Sequence, residues 1–188
     1  MQWLRDGLQS IESSSAVERH QSKANYDSAG VYFVPAFTGL GAPYWDQYAR
    51  GAIMGLTRGT TKYNISQAAV ESIAFQSADV LEAMRADAGI DIKMIRADGG
   101  ASANDHLMQF QSDVMRTQVI RPKNLETTAL GAAYLAGLAV GYWESIDEIK
   151  SLWEMDREFD PKMTDKEVEL RVSGWKKAVS RTLNWEKA

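Results

Sequence analysis

The sequence predicts an α/β fold, on three observations. Short apolar runs stop at Gly or Pro as buried strands do: Val31–Val34 before Pro35, Ile92–Ile95 before Asp98-Gly99-Gly100, Thr117–Arg121 before Pro122. Longer segments between them repeat apolar residues at helical spacing. The two kinds alternate along the chain, as in sheets covered by helices.

Taken in order, Gln2 to Ile11 reads as a helix with Trp3, Leu4, Leu8 and Ile11 on one face. No capping residue precedes it, so the chain is expected to be a piece of a longer one, cut inside an element. Ser13-Ser14-Ser15 should break that helix and cap a short polar one, Ala16 to Ala24, whose His20 reads as a surface histidine. After a loop, Val31–Val34 is the first strand. FTGLGAPYWDQYARG, Phe37 to Gly51, is a long ordered loop whose turns are set by three glycines and a proline. Tyr44 and Trp45 should bury beneath it and Asp46 pair with Arg50, with Asp46 capping a turn rather than acting as a general base. TGLG lacks the third glycine and the helix of a dinucleotide fingerprint. Ala52–Leu56 is a second strand. Asn64 should then cap a helix to Ala88, with a core stripe of Ile65, Ala69, Ile73, Gln76, Val80 and Met84 and Gly89 as its stop. Glu71 on this helix reads as a surface ion pair rather than a group that orients a catalytic one.

The stretch from Ile92 to Met115 organises the rest. Its apolar run is broken by two adjacent glycines, which permit positive φ and leave no Cβ between backbone and ligand. Ser102, with Asp105 three residues later, is the expected N-cap of a helix whose core face is Leu107, Phe110, Val114 and Met115. Asn104 falls in its first turn, where its amide can reach back over the glycines. A nucleotide suits this arrangement: flat groups can lie on bare backbone, and free N–H groups at a helix start face anions. An ordinary strand-to-helix turn has the same pattern.

Beyond the Thr117–Arg121 strand, Thr127 or Thr128 should cap a helix with the body ALGAAYLAGLAVG. Its Ala132, Ala133, Ala136 and Gly137 allow close approach of a neighbouring backbone or a flat ligand. Ser145, with Glu148 at the third position, caps a helix from Glu144 to Trp153. Arg157 to Pro161 is a connector. Asp165 to Trp185 is the last helix, with Val168, Val172, Trp175, Val179 and Leu183 inward and a basic outer face of Lys176, Lys177, Arg181 and Lys187.

With 45% hydrophobic and 24% charged residues among 188, the composition is that of a globular chain able to bury a core. A net charge of −4 and a pI near 5.3 argue against a nucleic-acid surface. The absence of Cys excludes disulfides, thiolate nucleophiles and zinc-thiolate sites. His20 and His106 lie far apart, against a histidine-based metal hydrolase, and neither a GxSxG elbow nor a Walker A sequence occurs. The longest apolar run, Ala129 to Val140, covers about 12 residues, too short to span a bilayer. The expectation is a cytoplasmic protein with no membrane or nucleic-acid partner.

The runs FTGLGAPYWDQYARGAIMGLTRG, DGGASANDHLMQFQSDV and TALGAAYLAGLAVG, and the spacing of Gly51 to Glu71, resemble the C-terminal part of the FGGY carbohydrate-kinase family, in its glycerol kinase branch. The likeness covers nearly the whole chain. It implies an actin/Hsp70-like (ribonuclease H-like) ATPase fold with two lobes around a cleft. Residues 1–188 would be a partial C-terminal, nucleotide-binding lobe, incomplete at its N-terminus, with the N-terminal lobe absent. The implied activity is MgATP-dependent phosphorylation of glycerol at its 3-hydroxyl, with ATP/ADP and Mg2+ as cofactors, in a homo-oligomer, dimer or tetramer. Gly100 and Asn104 match the adenosine-side glycine and asparagine of the family's GGxxxN turn, and Gln2 the nucleotide-contacting glutamine of its QWL motif. The family's catalytic aspartate, glycerol-binding residues, phosphate loop and first hairpin of this lobe would lie upstream of Met1. No catalytic or metal-binding residue is therefore assigned here, and the chain alone is expected to be inactive. Asp160-Pro161-Lys162-Met163 departs from the proline-glycine-isoleucine segment of the branch regulated by a sugar-transport protein. A kinase of a pentose or related sugar, and a complete non-enzymatic nucleotide-binding or oligomerisation module, are the competing readings.

Overall fold

The computed structural model describes residues 1–13 and 16–187. The chain runs α1 (Gln2–Asp6), α2 (Val17–Lys23), β1 (Tyr32–Val34), β2 (Ala52–Met54), α3 (Lys62–Ala88) and β3 (Met94–Arg96). A 3-10 turn (Gly100–Ala103) leads into α4 (Asp105–Met115), β4 (Gln118–Pro122), α5 (Thr127–Ala139), α6 (Ile146–Ser151), β5 (Met155–Phe159) and α7 (Asp165–Ser180). β1 and β2 pair antiparallel, Tyr32 opposite Met54. β3 and β4 run parallel with Ile95 opposite Val119, and β5 lies antiparallel on the other side of β4. The expected α/β alternation is present.

α3, the longest helix, packs against α2, α4 and β1. It starts at Thr61 rather than Asn64. The Thr61 hydroxyl accepts from the Asn64 N–H, and the Asn64 side chain accepts from the Thr61 N–H at 3.0 Å, so Asn64 is the reciprocal partner in a capping box. Gly89 ends it at φ 64°, as expected. The buried face differs from the expected stripe. Ala69 is buried, Ile65, Ile73 and Gln76 are half-buried, and Val80 and Met84 are exposed. Ser66, Val70, Ala74, Phe75, Asp79 and Leu81 face the interior instead. A helix covered from several sides buries a wider arc than one apolar stripe.

The core centres on aromatic rings. Phe75 stacks on Trp175 at 5.2 Å between centroids and meets Phe110 edge-on at 5.3 Å. Leu107, Phe110, Val114 and Met115 of α4 are all buried, as are Val168, Trp175 and Val179 of α7. Asp79 is buried among them and accepts two hydrogen bonds, from the Tyr44 hydroxyl at 2.8 Å and the Trp175 indole N–H at 2.7 Å.

Glu71 is a correction: it is 2% exposed, not a surface carboxylate. It accepts from Gln67 Nε2 at 2.9 Å, and Arg171 stands 3.7 Å away. Burial pushes its pKa up, more than Gln67, Ser28 and Arg171 hold it down. The folded state thus keeps a proton that the unfolded chain loses, and stability falls as pH rises above the ordinary glutamate range. Glu71→Gln is expected to melt higher than wild type at neutral pH, with the gap closing toward about pH 4. A gap that did not change with pH would contradict this account.

Other expectations also shift. α1 is a single short helix with Leu4 buried and Trp3 and Leu8 outside. The cap expected at Ser14 and Ser15 lies outside the described residues; the Ser13 hydroxyl accepts from the Ala16 N–H at 3.2 Å. His20 is half-buried, its Nδ1 3.0 Å from the Ser66 hydroxyl and its ring edge-on to Tyr63. Trp45 is 77% exposed, while Tyr44 is half-buried. Arg50 pairs with Glu186, and Asp46 caps its turn by accepting from the N–H groups of Tyr48 and Ala49, with Asn184 as a third donor. α5 has no hydroxyl cap, because Thr127 is already its first residue. Its Ala132, Ala133 and Ala136 are exposed, and Gly137 alone in the helix is buried, under the Trp143 ring. Ser145 caps α6 as expected, although the helix is shorter. The connector at Arg157 is part of β5, and α7 stops at Ser180 with Trp185 exposed. Among the described residues no helix is long and apolar enough to cross a membrane.

Candidate functional site

The parallel pair β3–β4 carries the candidate turn at its carboxyl end. Ala97 N–H still donates to Ile120 O at 2.9 Å, and then the chain leaves the sheet. Gly99 sits at φ 80°, ψ 167°, a conformation in effect reserved for glycine. Its N–H donates to Leu125 O at 2.9 Å, which ties the turn to the segment before α5. Its carbonyl accepts from the Ser102 N–H at 3.0 Å and the Ser102 hydroxyl at 2.7 Å. Ser102 is therefore the latch of the 3-10 turn and not the expected cap of α4. The 3-10 turn delays the helix by two residues, and Asn104 becomes the N-cap: its Oδ1 accepts from the Leu107 N–H at 3.0 Å. Its Nδ2 donates to Gln21 Oε1 at 2.6 Å, so the buried amide links α4 to α2.

Beside this turn lies a cavity of about 510 Å³ lined by Met1, Val17, Glu18, Val70, Ile73, Gly100, Ala101, Ala103, Asn104 and Leu107. The lining is mostly apolar, which suits a flat base, with Asn104 and Glu18 as polar groups. A Cβ built on Gly100 meets nothing within 4 Å, so the space over it is open. The opening N–H groups of a 3-10 turn have no acceptor inside it and can receive a polar ligand.

Two of the three predicted residues, Gly100 and Asn104, thus share one cavity. Gln2 does not line it: it is exposed on α1 and hydrogen-bonds Asp6, while its neighbour Met1 reaches the cavity. Arg121 was not singled out from the sequence. From β4 its Nη1 donates to Ser102 O at 2.8 Å and reaches Ala103 O at 3.2 Å and Asp105 Oδ1 at 2.8 Å. Gln21 was missed too; it is 1% exposed and touches Asn104 only through the tertiary fold. Among the described residues no group of three or more His, Asp or Glu side chains is placed to hold a metal ion.

Glycine turns at the ends of parallel strands serve some α/β proteins as nucleotide sites and others as plain connections, and comparison with known proteins fixes the class. The model of the FGGY family of carbohydrate kinases, C-terminal domain, matches residues 1–140, and the chain belongs to that family. It is 56% identical over 187 residues to glycerol kinase 2 of Sulfolobus acidocaldarius, covering 100% of this chain and 37% of that protein. With glycerol kinase 2 of Thermotoga maritima the identity is 57%, covering 100% of this chain and 38% of that protein. The crystal structure of Plasmodium falciparum glycerol kinase with ADP matches at a TM-score of 0.84 and 41% identity, covering 97% of this chain and 36% of that one. Xylulose kinase from Rhodospirillum rubrum shares the fold at a TM-score of 0.75 and 20% identity, covering 96% of this chain and 37% of that one. The fold is that of the actin/Hsp70-like ATPases. The chain spans little more than a third of the length of the curated relatives it matches.

Proposed function

We propose that this chain is the nucleotide-binding part of an ATP:glycerol 3-phosphotransferase, in which the remaining length supplies the N-terminal lobe. The observation that carries the reading is the open Gly100 backbone and the Asn104 amide facing one apolar cavity, in a chain whose relatives are glycerol kinases. The adenosine of ATP lies over Gly99-Gly100 and against Val17, Val70 and Ile73, with its phosphates directed to the cleft between lobes. Asn104 keeps one donor hydrogen and acceptor capacity beyond its two bonds, enough for one contact to the nucleoside. Gln2 stands outside this cavity, next to Met1, so the reading rests on Gly100 and Asn104. Mg2+ supplies charge neutralisation of the phosphates; its ligands belong to ATP and to the rest of the enzyme. The intact protein is a cytoplasmic homo-oligomer.

Phosphoryl transfer requires both substrates held in line and the developing charge neutralised. The residues here hold one end of one substrate. The intact enzyme should phosphorylate glycerol in preference to pentoses, while the 188-residue chain should show no turnover. A coupled ADP-release assay with glycerol, xylulose and ribulose on both proteins tests this. Turnover by the chain alone, or a pentose preferred by the intact enzyme, would overturn it.

A further inference from the structure

We propose that Arg121 is the positioning residue of the nucleotide turn. This rests on the nucleotide reading above and adds to it the part that holds the site in shape.

A 3-10 turn that ends against a helix N-cap leaves carbonyls without intrahelical donors. The carbonyls of Ser102 and Ala103 are in that position, immediately before Asn104. Arg121 supplies the missing donors: its Nη1 lies 2.8 Å from Ser102 O and 3.2 Å from Ala103 O. The same nitrogen reaches Asp105 Oδ1 at 2.8 Å, on the other side of Asn104. Backbone before Asn104 and side chain after it are thus fixed to one guanidinium. Gly100 lies two residues upstream of the first contact, inside the same short turn.

The guanidinium is itself anchored. Its Nε donates to Asp156 Oδ2 at 2.7 Å from β5, and its Cζ lies 5.5 Å from the centre of the Phe159 ring. The Arg121 side chain is only 11% exposed, while its partners Asp105 and Asp156 are 45% and 43% exposed. Arg157 shares Asp105, which keeps that carboxylate paired if Arg121 is removed. The planar fork joins two strands and a turn at once, which a single ammonium cannot do. The central strand of the three-stranded sheet therefore sets where Gly100 and Asn104 stand, without touching the cavity.

The test uses the intact enzyme with Arg121→Ala, Arg121→Lys and Gly100→Val. Arg121→Ala is expected to raise the KM for ATP about five- to tenfold, with kcat and the KM for glycerol within about twofold of wild type. Arg121→Lys should fall between. Amide hydrogen exchange across residues 99–104 should speed up in Arg121→Ala while the α3 and α7 core amides stay protected. A purely structural role would lower kcat with the active fraction and leave the KM for ATP unchanged, and that result overturns the proposal. Unchanged exchange in the turn overturns it as well. If Gly100→Val also leaves the KM for ATP unchanged, the nucleotide reading fails; if Gly100→Val raises it and Arg121→Ala does not, only the role of Arg121 fails.

Discussion

Gly100→Val in the intact kinase is expected to raise the KM for ATP about tenfold or more, a loss of at least about 1.4 kcal/mol of binding. The expectation follows from what surrounds the position. A Cβ at Gly100 meets no atom of the protein within 4 Å, and the residue does not need the left-handed backbone that Gly99 adopts. The protein itself therefore tolerates a side chain there. Only a ligand resting on the bare backbone would be displaced. The melting temperature of the free enzyme should change little, since a β-branched residue at the first position of a 3-10 turn loses only some rotamer freedom. Gly100→Ala should give a smaller shift in the same direction. Steady-state kinetics with ATP varied at saturating glycerol is the deciding measurement: a wild-type KM for ATP in the valine variant would remove the nucleotide from this cavity.

The largest effect on stability is expected at Asp79. Asp79→Ala leaves the Trp175 indole N–H and the Tyr44 hydroxyl without their shared acceptor. Trp175 is 1% exposed, so its N–H cannot turn to water. Each stranded donor costs about 1–3 kcal/mol, so the pair should lose about 2–4 kcal/mol, Tyr44 being only half-buried. That is a large fraction of the 5–15 kcal/mol or so that holds a domain of ordinary stability. Asp79→Asn should stay near wild type at neutral pH. It retains an acceptor and removes a charge whose burial already pushes the carboxyl pKa up, against Trp175 and Tyr44, which hold it down. Urea denaturation of the three proteins checks both; an alanine variant as stable as wild type would mean that water or a neighbouring group replaces the carboxylate.

Much of the scaffold was legible because it depends on local chemistry. The face of α4 could be read from Leu107, Phe110 and Val114, and the end of α3 from Gly89. The asparagine at position 104 and the glycine at 100 were found through the spacing of a turn, and the fold brings both to one cavity. The misses have tertiary causes. Glu71 carries a charge that sequence reasoning sends to the surface, but α7 and the segment at Ser28 close over it. β5 is missed because Met155, Asp156, Arg157 and Glu158 are all exposed on an edge strand, where no apolar alternation is needed. The small residues of α5 imply a close neighbour, yet Ala132, Ala133 and Ala136 face outward in this chain. Arg121 gives no local sign of its role, because its acceptors lie 16 to 35 residues away along the chain and two of them are main-chain carbonyls.

Asn104 begins the helix that delivers Leu107, Phe110 and Val114 to the core, and it also faces the cavity. Its substitutions are therefore pleiotropic: a change that alters what the pocket accepts also weakens the first turn beneath it. Drift in ligand preference should accumulate instead at Glu18 and Ala101, which border the same space and are exposed rather than part of the core.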